Sequence, residues 1–277
     1  MAGASSATGT SASSAAPERR VRAPAWLARL RRVRRRIRSL RNAVRKSPVA
    51  APAHDHGAAG AACARPVLLV YGLLTTRRST RAMERRLRRD GHCVFSIDLA
   101  GIDRIFDEHR IDEQARRVAE AVVELRARHR LGPIAIVAHS KGGLVAAHYV
   151  KHLGGSAHVR TLVTLGTPHN GTPLAYLGLL AGPLAPSVRE MMPVSRFIRR
   201  LRETPMPREV WFASLWSRRD AICPWPAAVV ERGLPNVRSV EVDAPHHELL
   251  LRRDVYVAVR AELAAGEAWA ARVSACG

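Results

Sequence analysis

A chain of 277 residues with 47% apolar residues is long enough for one large folded domain or two small ones, which excludes a wholly disordered protein. Its formal net charge is +22, and of the 45 basic residues only Lys46, Lys141 and Lys151 are lysines. The skew towards Arg fits a GC-rich genome, so the charge has two readings, coding bias and an anionic partner.

Residues 1–17 are Ala/Ser/Gly/Thr-rich and read as a disordered, low-complexity start. The stretch from Pro24 to Lys46 is different. Trp26, Leu27, Leu30, Val33, Ile37, Leu40 and Val44 recur at spacings of three and four, and nearly every other position is Arg. That pattern predicts a basic amphipathic helix, suited to an anionic membrane surface, an acidic partner or docking on the protein itself. No nucleic-acid-binding motif accompanies it, so nucleic acid is the weaker reading. Residues 47–64 read as a linker, and His54-Asp55-His56 as solvated linker residues rather than metal ligands. Charge density is highest here: residues 1–64 hold thirteen basic residues against Glu18 and Asp55.

The folded domain is expected over 65–277. Pro66 to Tyr71 predicts a buried strand ending at Gly72, and Ser79 to Asp90 a helix closed by Gly91. Cys93 to Asp98 is a second strand, and Arg110 to Arg128 a helix. Further strands follow at 134–137, 158–165, 209–216 and 237–242. Strands alternating with helices imply an α/β fold, a mostly parallel sheet of about six strands flanked by helices. In such sheets the site lies beyond the carboxyl ends of the strands. Cys63, Cys93, Cys223 and Cys276 show no metal-ligand spacing. Cys93 falls in an apolar run, where a free buried cysteine is common, and nothing in the sequence calls for a disulfide. No apolar run reaches bilayer length, and Met1 to Ala16 lacks a basic start and apolar middle. The expected location is the cytoplasm, with a peripheral membrane position as the alternative.

The organising stretch is Pro133 to Gly154. Ile134-Ala135-Ile136-Val137 reads as a strand, Ala138-His139-Ser140-Lys141-Gly142-Gly143 as a sharp turn, and the rest as a helix. Strand, strained turn with a central Ser, then helix describes a nucleophile elbow. Strand and helix pass so close there that only small side chains fit two positions either side of the Ser. Ala138 and Gly142 meet that need, with Ala138 a mild departure from G-x-S-x-G. By itself the pattern is also met by any Ser/Gly turn between a strand and a helix.

Together, PVLLVYGLLTT, IVAHSKGGLVAAHYV, LVTLGTPHNGTPLA, SLWSRRDAICPW and APHHELLLRRDVY resemble, in order, a compact bacterial lipase/esterase of the α/β-hydrolase superfamily, over about residues 65–265. The elbow beginning with Ala and the following L-G-T-P-H-x-G-T carry the most specific part of the resemblance. It implies hydrolysis of carboxylic esters, often of lipids, with no organic cofactor; some related lipases carry a Ca²⁺ site, but this sequence has no carboxylate cluster for one, so no metal is expected. The implied triad order is Ser, acid, His. Ser140 is then the nucleophile. Asp220, in the loop after the strand VWFASLW, is the acid that orients the base. The resemblance places the base three residues before a Leu-Leu pair and nine before a Val, which fits His246; His247 fits a register shifted by one. Asp98 breaks the order, and Asp243 is too near the His pair to be preferred. His139 belongs to the elbow, and His169 reads as a loop-shaping residue. The oxyanion hole is expected from the backbone N–H groups of Leu73 and Lys141. Tyr71 stands where many relatives carry His.

Residues 167–208 are rich in Leu, Met, Pro and Gly, and read either as an apolar lid or as a packed helical insertion. Either favours an apolar acyl group. Ester hydrolysis is the leading expectation. Acyl transfer or thioester hydrolysis by the same triad, and a catalytically silent binding protein of this fold, are the alternatives. Oligomeric state is not readable from the sequence.

Overall fold

The structure is a computed structural model and describes residues 63–72, 77–97, 99, 109–179, 186–230 and 233–276. The basic helix expected over 24–46, the linker before Cys63, Leu73 and Asp98 lie outside the described residues.

Six strands form one sheet: β1 (Pro66–Val70), β2 (Cys93–Ile97), β3 (Ile134–His139), β4 (Val159–Leu165), β5 (Trp211–Trp216) and β6 (Val237–Glu241). Their order is β2-β1-β3-β4-β5-β6 and every pair is parallel. β1, β3 and β5 are buried along their whole length, as continuous apolar runs such as IAIVAH require when both faces of a sheet are covered. The edge strand β6 is only partly buried and mixes Arg and Glu with Val. The chain leaves β1 towards β2 on one side and returns to β3 on the other. The crevice between β1 and β3 therefore opens at the carboxyl edge, where ligands bind in open α/β sheets.

The longer helices are α1 (Arg77–Arg89), α2 (Ile111–His129), α3 (Lys141–His152) and α7 (Arg253–Cys276). Three shorter ones are α4 (Pro186–Glu190), α5 (Arg196–Glu203) and α6 (Trp225–Ala228). On one face Ile111, Val118 and Val122 of α2, Leu144 and Val145 of α3, and Ile198 and Leu201 of α5 pack on Leu68, Ile136 and Leu162. On the other face Met83 and Leu87 of α1, with Val255, Val259 and Leu263 of α7, pack on Leu69, Val137 and Leu215. The alternation of side chains along each strand thus divides between two cores. Within 167–208, Ile198, Leu201 and Met206 are buried, while Leu174 and Tyr176 on the turn Pro173–Leu179 are exposed.

The cysteine expectation needs correction. Cys93, at the start of β2, forms a disulfide with Cys63. The apolar run around Cys93 hid the pairing, because Cys63 sits in a stretch that reads as linker. Closing a loop of this length stabilises a fold by roughly 3–4 kcal/mol in the chain-entropy account. Cys223 is free and buried. No helix among the described residues is long and apolar enough to cross a membrane.

Candidate active site

Ser140 follows β3 directly and precedes α3. Its φ of 55° and ψ of −131° place an L-residue in a region that ordinarily costs energy. The surroundings hold it there. Ser140 N donates to Leu165 O at 2.9 Å, and Ser140 O accepts from Gly143 N at 3.0 Å and from Thr167 Oγ1 at 2.9 Å. A Cβ on Gly142 would lie 2.7 Å from Val70 O, and one on Gly143 would lie 2.0 Å from Thr167 Oγ1. Gly142 is therefore required by close backbone approach, and Gly143 by the packed Thr167 side chain. On the β1 side a Cβ on Gly72 would stand 2.8 Å from Ser140 Cβ and 3.0 Å from Lys141 N, so bare backbone faces the serine.

The second arm, a carboxylate–imidazole pair, comes from the loops after β5 and β6. Asp220 Oδ1 accepts from Ile222 N at 2.9 Å and Cys223 N at 2.7 Å, while Oδ2 lies 2.7 Å from His246 Nδ1. With Asp220 ionised, His246 carries its proton on Nδ1 and leaves Nε2 as an acceptor. The Asp220 side chain is fully buried and that of His246 is 12% exposed. His247 differs: its side chain is 78% exposed, with Glu248 its neighbour at 3.8 Å. Asp243 is exposed and pairs with Arg219 at 3.3 Å. The structure thus brings Asp220 and His246 together and leaves His247 and Asp243 in solvent.

The two arms meet through His139. Its Nε2–H donates to the backbone carbonyl of His246 at 3.1 Å, and the two rings lie 4.7 Å apart. Burial, with His246 beside it, lowers the His139 pKa to about 3, so the ring is neutral. Gly166, at φ 53° after β4, packs on the same place: a Cβ there would fall 2.8 Å from Asp220 Oδ2 and 3.0 Å from His246 Nδ1. His169 is a buried loop residue whose Nε2 sits 2.9 Å from Thr164 Oγ1.

One feature escaped the sequence reading. The Lys141 side chain is buried, and burial lowers its pKa to about 7, with the Glu190 carboxylate opposing the shift. Glu190 also accepts from Ile111 N at 2.7 Å and pairs with Arg110 at 2.8 Å, joining α4 to α2. No sequence signal separates this lysine from an exposed one at the start of an amphipathic helix. Among the described residues, no group of three or more His, Cys, Asp or Glu side chains gathers as a metal site.

An exposed apolar rim flanks the acid loop. Asn170 Nδ2 donates to Pro226 O and Val229 O, and Thr172 Oγ1 to Ile222 O. These bonds stitch the turn bearing Leu174 and Tyr176 to the segment bearing Ile222 and Trp225, and all four apolar side chains are exposed.

The family model described as alpha/beta hydrolase fold matches residues 65–191. A lipase from Bacillus licheniformis in its mature form is 18% identical with a TM-score of 0.57, covering 79% of this chain and 96% of its own. A bromoperoxidase from Bacillus anthracis is 15% identical with a TM-score of 0.58, covering 73% and 92%. A thermophilic esterase from Thermogutta terrifontis is 20% identical with a TM-score of 0.52, covering 73% and 90%. No curated protein sequence matches the chain. Sheet order, the strained turn at Ser140 and the match over residues 65–191 agree that this chain has the α/β-hydrolase fold.

Proposed function

We propose that the protein is a serine hydrolase of carboxylic esters with apolar acyl groups, acting through Ser140, His246 and Asp220. The observation that carries this reading is the Asp220–His246 pair at 2.7 Å, joined through His139 to a serine at positive φ. In this reading His246 Nε2 takes the Ser140 proton as Oγ attacks the ester carbonyl carbon. Backbone N–H groups of Lys141 and Leu73 receive the developing oxyanion, as the bare backbone of Gly72 beside Lys141 N allows. Collapse expels the alcohol, which takes the proton back from His246. Water then attacks the acyl-enzyme by the same route and frees Ser140.

The exposed Leu174, Tyr176, Ile222 and Trp225 support an apolar acyl chain over a charged one. The Cys63–Cys93 bond supports action in an oxidising compartment rather than the cytoplasm, where thiols are kept reduced.

The test is labelling with a fluorophosphonate probe alongside turnover of a p-nitrophenyl ester. Wild-type protein should take up one label on Ser140. Ser140→Ala should take up none and lose turnover by a factor on the order of 10⁴ or more, with melting unchanged. Labelling or turnover that survives in Ser140→Ala rejects the serine mechanism.

A further inference from the structure

We propose that the cleft between α1 and α7 is a binding site for a ligand bearing two or more phosphate groups. This rests on neither the triad nor the ester reading. The cleft has a volume of about 510 Å³. Arg85, Arg86 and Arg89 line it from α1, and Arg253 and Arg260 from α7. Arg is abundant throughout this chain, so number alone argues nothing. What distinguishes the cleft is convergence of two helices distant in sequence. Arg85 and Arg89 share one face of α1, and Arg253, Val257 and Arg260 share one face of α7.

The only carboxylate among the residues lining the cleft is already engaged. Asp90 Oδ2 accepts from Tyr256 Oη at 2.6 Å and lies 3.6 Å from Arg260 Nη1. Arg86 turns Nη1 to the carbonyls of Leu251 and Arg252, at 2.7 and 3.2 Å, and stacks 5.9 Å from the Tyr256 ring centroid. Its guanidinium is thereby fixed in the wall. Arg85, Arg89 and Arg253 pair with no carboxylate among the described residues. Elsewhere Arg110 meets Glu190, Arg218 meets Glu241 and Arg219 meets Asp243. Cations gathered in a concave wall repel one another and focus a positive potential, which an anion relieves.

The shape of the donors selects the anion. A guanidinium offers a planar fork that matches phosphate oxygens in pairs. Three forks with no carboxylate partner among the described residues, spread over two helices, exceed what one phosphate bridges, so the ligand carries at least two phosphates or presents them as an array. Val257 is 48% exposed in the same wall and gives an organic portion an apolar contact. A soluble polyphosphate compound and a surface of phospholipid headgroups share this chemistry.

The test uses the full chain at about 150 mM salt, where weak surface attraction is screened. Sodium tripolyphosphate is the probe, titrated by calorimetry. Arg85→Ala/Arg89→Ala/Arg253→Ala should bind at least about tenfold more weakly than wild type, as the loss of charge-assisted bidentate bonds requires. The charge-matched control Arg196→Ala/Arg199→Ala/Arg202→Ala, on α5, should stay within about twofold, as loss of distant screened charge predicts. The control also cancels any binding by the Arg-rich residues 1–62. A second arm measures sedimentation with phosphatidylglycerol/phosphatidylcholine vesicles. If the cleft variant also loses these vesicles, the ligand is a lipid headgroup. If it binds them as wild type does, the ligand is a soluble phosphate compound. Tripolyphosphate binding that is unchanged in the cleft variant, or that falls equally in both variants, overturns the proposal.

Discussion

The two arms of the candidate site are held by different physics. The elbow is fixed by crowding: backbone fills the place of a Cβ at Gly72 and Gly142, and the Thr167 side chain fills it at Gly143. The Asp220–His246 arm hangs on loops after β5 and β6, the last of which is a partly buried edge strand. There, polar bonds do the positioning. Ser217 Oγ accepts from Arg219 N and Ala244 N, Asp220 is held by two backbone N–H groups, and His246 by Asp220 and His139. The elbow should therefore fail when an atom is added, and the arm when a polar partner is removed.

The largest effect expected on the arm is from Asp220→Asn. Two backbone donors already hold Oδ1, so the amide nitrogen is left facing His246 Nδ1. Nδ1 must then accept and the proton moves to Nε2, which blocks the base of the proposed mechanism. Turnover of a p-nitrophenyl ester should fall about 10⁴-fold with the fold intact. His247→Ala should stay within about twofold, as an exposed side chain outside the bonded set allows. A large loss in His247→Ala with a mild one in His246→Ala would move the base by one residue.

Next in size is the elbow. A Cβ at position 143 would fall 2.0 Å from Thr167 Oγ1, the hydroxyl that donates to Ser140 O. Gly143→Ala should lower stability by about 1–3 kcal/mol, the usual range for overpacking. Activity should fall with it, because Thr167 must leave Ser140. Adding Thr167→Ala removes the closest atom and should restore part of the stability. Chemical denaturation of the single and double variants reads this, and a Gly143→Ala protein as stable as wild type would mean that the contact relaxes freely.

The same contrast explains what the sequence allowed. The elbow was legible because crowding writes itself locally: Ala138, Ser140, Gly142 and Gly143 stand within six residues, after a strand of four apolar residues. The sheet was legible because both-face burial leaves unbroken apolar runs. The arm was legible only in order. His246 and His247 both suit the spacing, and the choice rests on which ring turns inward to Asp220, a property of the folded loop. The Cys63–Cys93 pair was missed because a disulfide is a long-range contact that spacing does not encode. The buried Lys141 was missed because its burial, and the Glu190 charge acting on it from 49 positions on, arise only in the fold. The helix α7 went unassigned, although Val255, Val259 and Leu263 repeat at spacings of four and are all buried.

The smallest expected effect lies where the two arms touch. His139 reaches no reacting atom, so it is a positioning residue: its Nε2–H fixes the carbonyl of His246. His139→Phe keeps a ring beside the His246 ring but removes that donor. It should lower kcat by about tenfold, the low end for losing an orienting hydrogen bond on a ligand or base, with KM nearly unchanged. A second readout separates this from simple loss of packing. His139 titrates near 6.5 when unfolded but only near 3 in the fold, because burial disfavours its cation. The unfolded chain then binds the extra proton first, so stability is complete above pH 6.5 and is lost as pH falls towards 3. The Phe variant has no such proton to take up. Its melting temperature should decline less steeply over that acid range, though not become flat. His169 and His148, whose pKa values burial lowers to about 3 and about 4, remain to titrate. If kcat is unchanged while the acid limb flattens, His139 is a packing residue, and the arms are coupled only through Gly166 and the sheet.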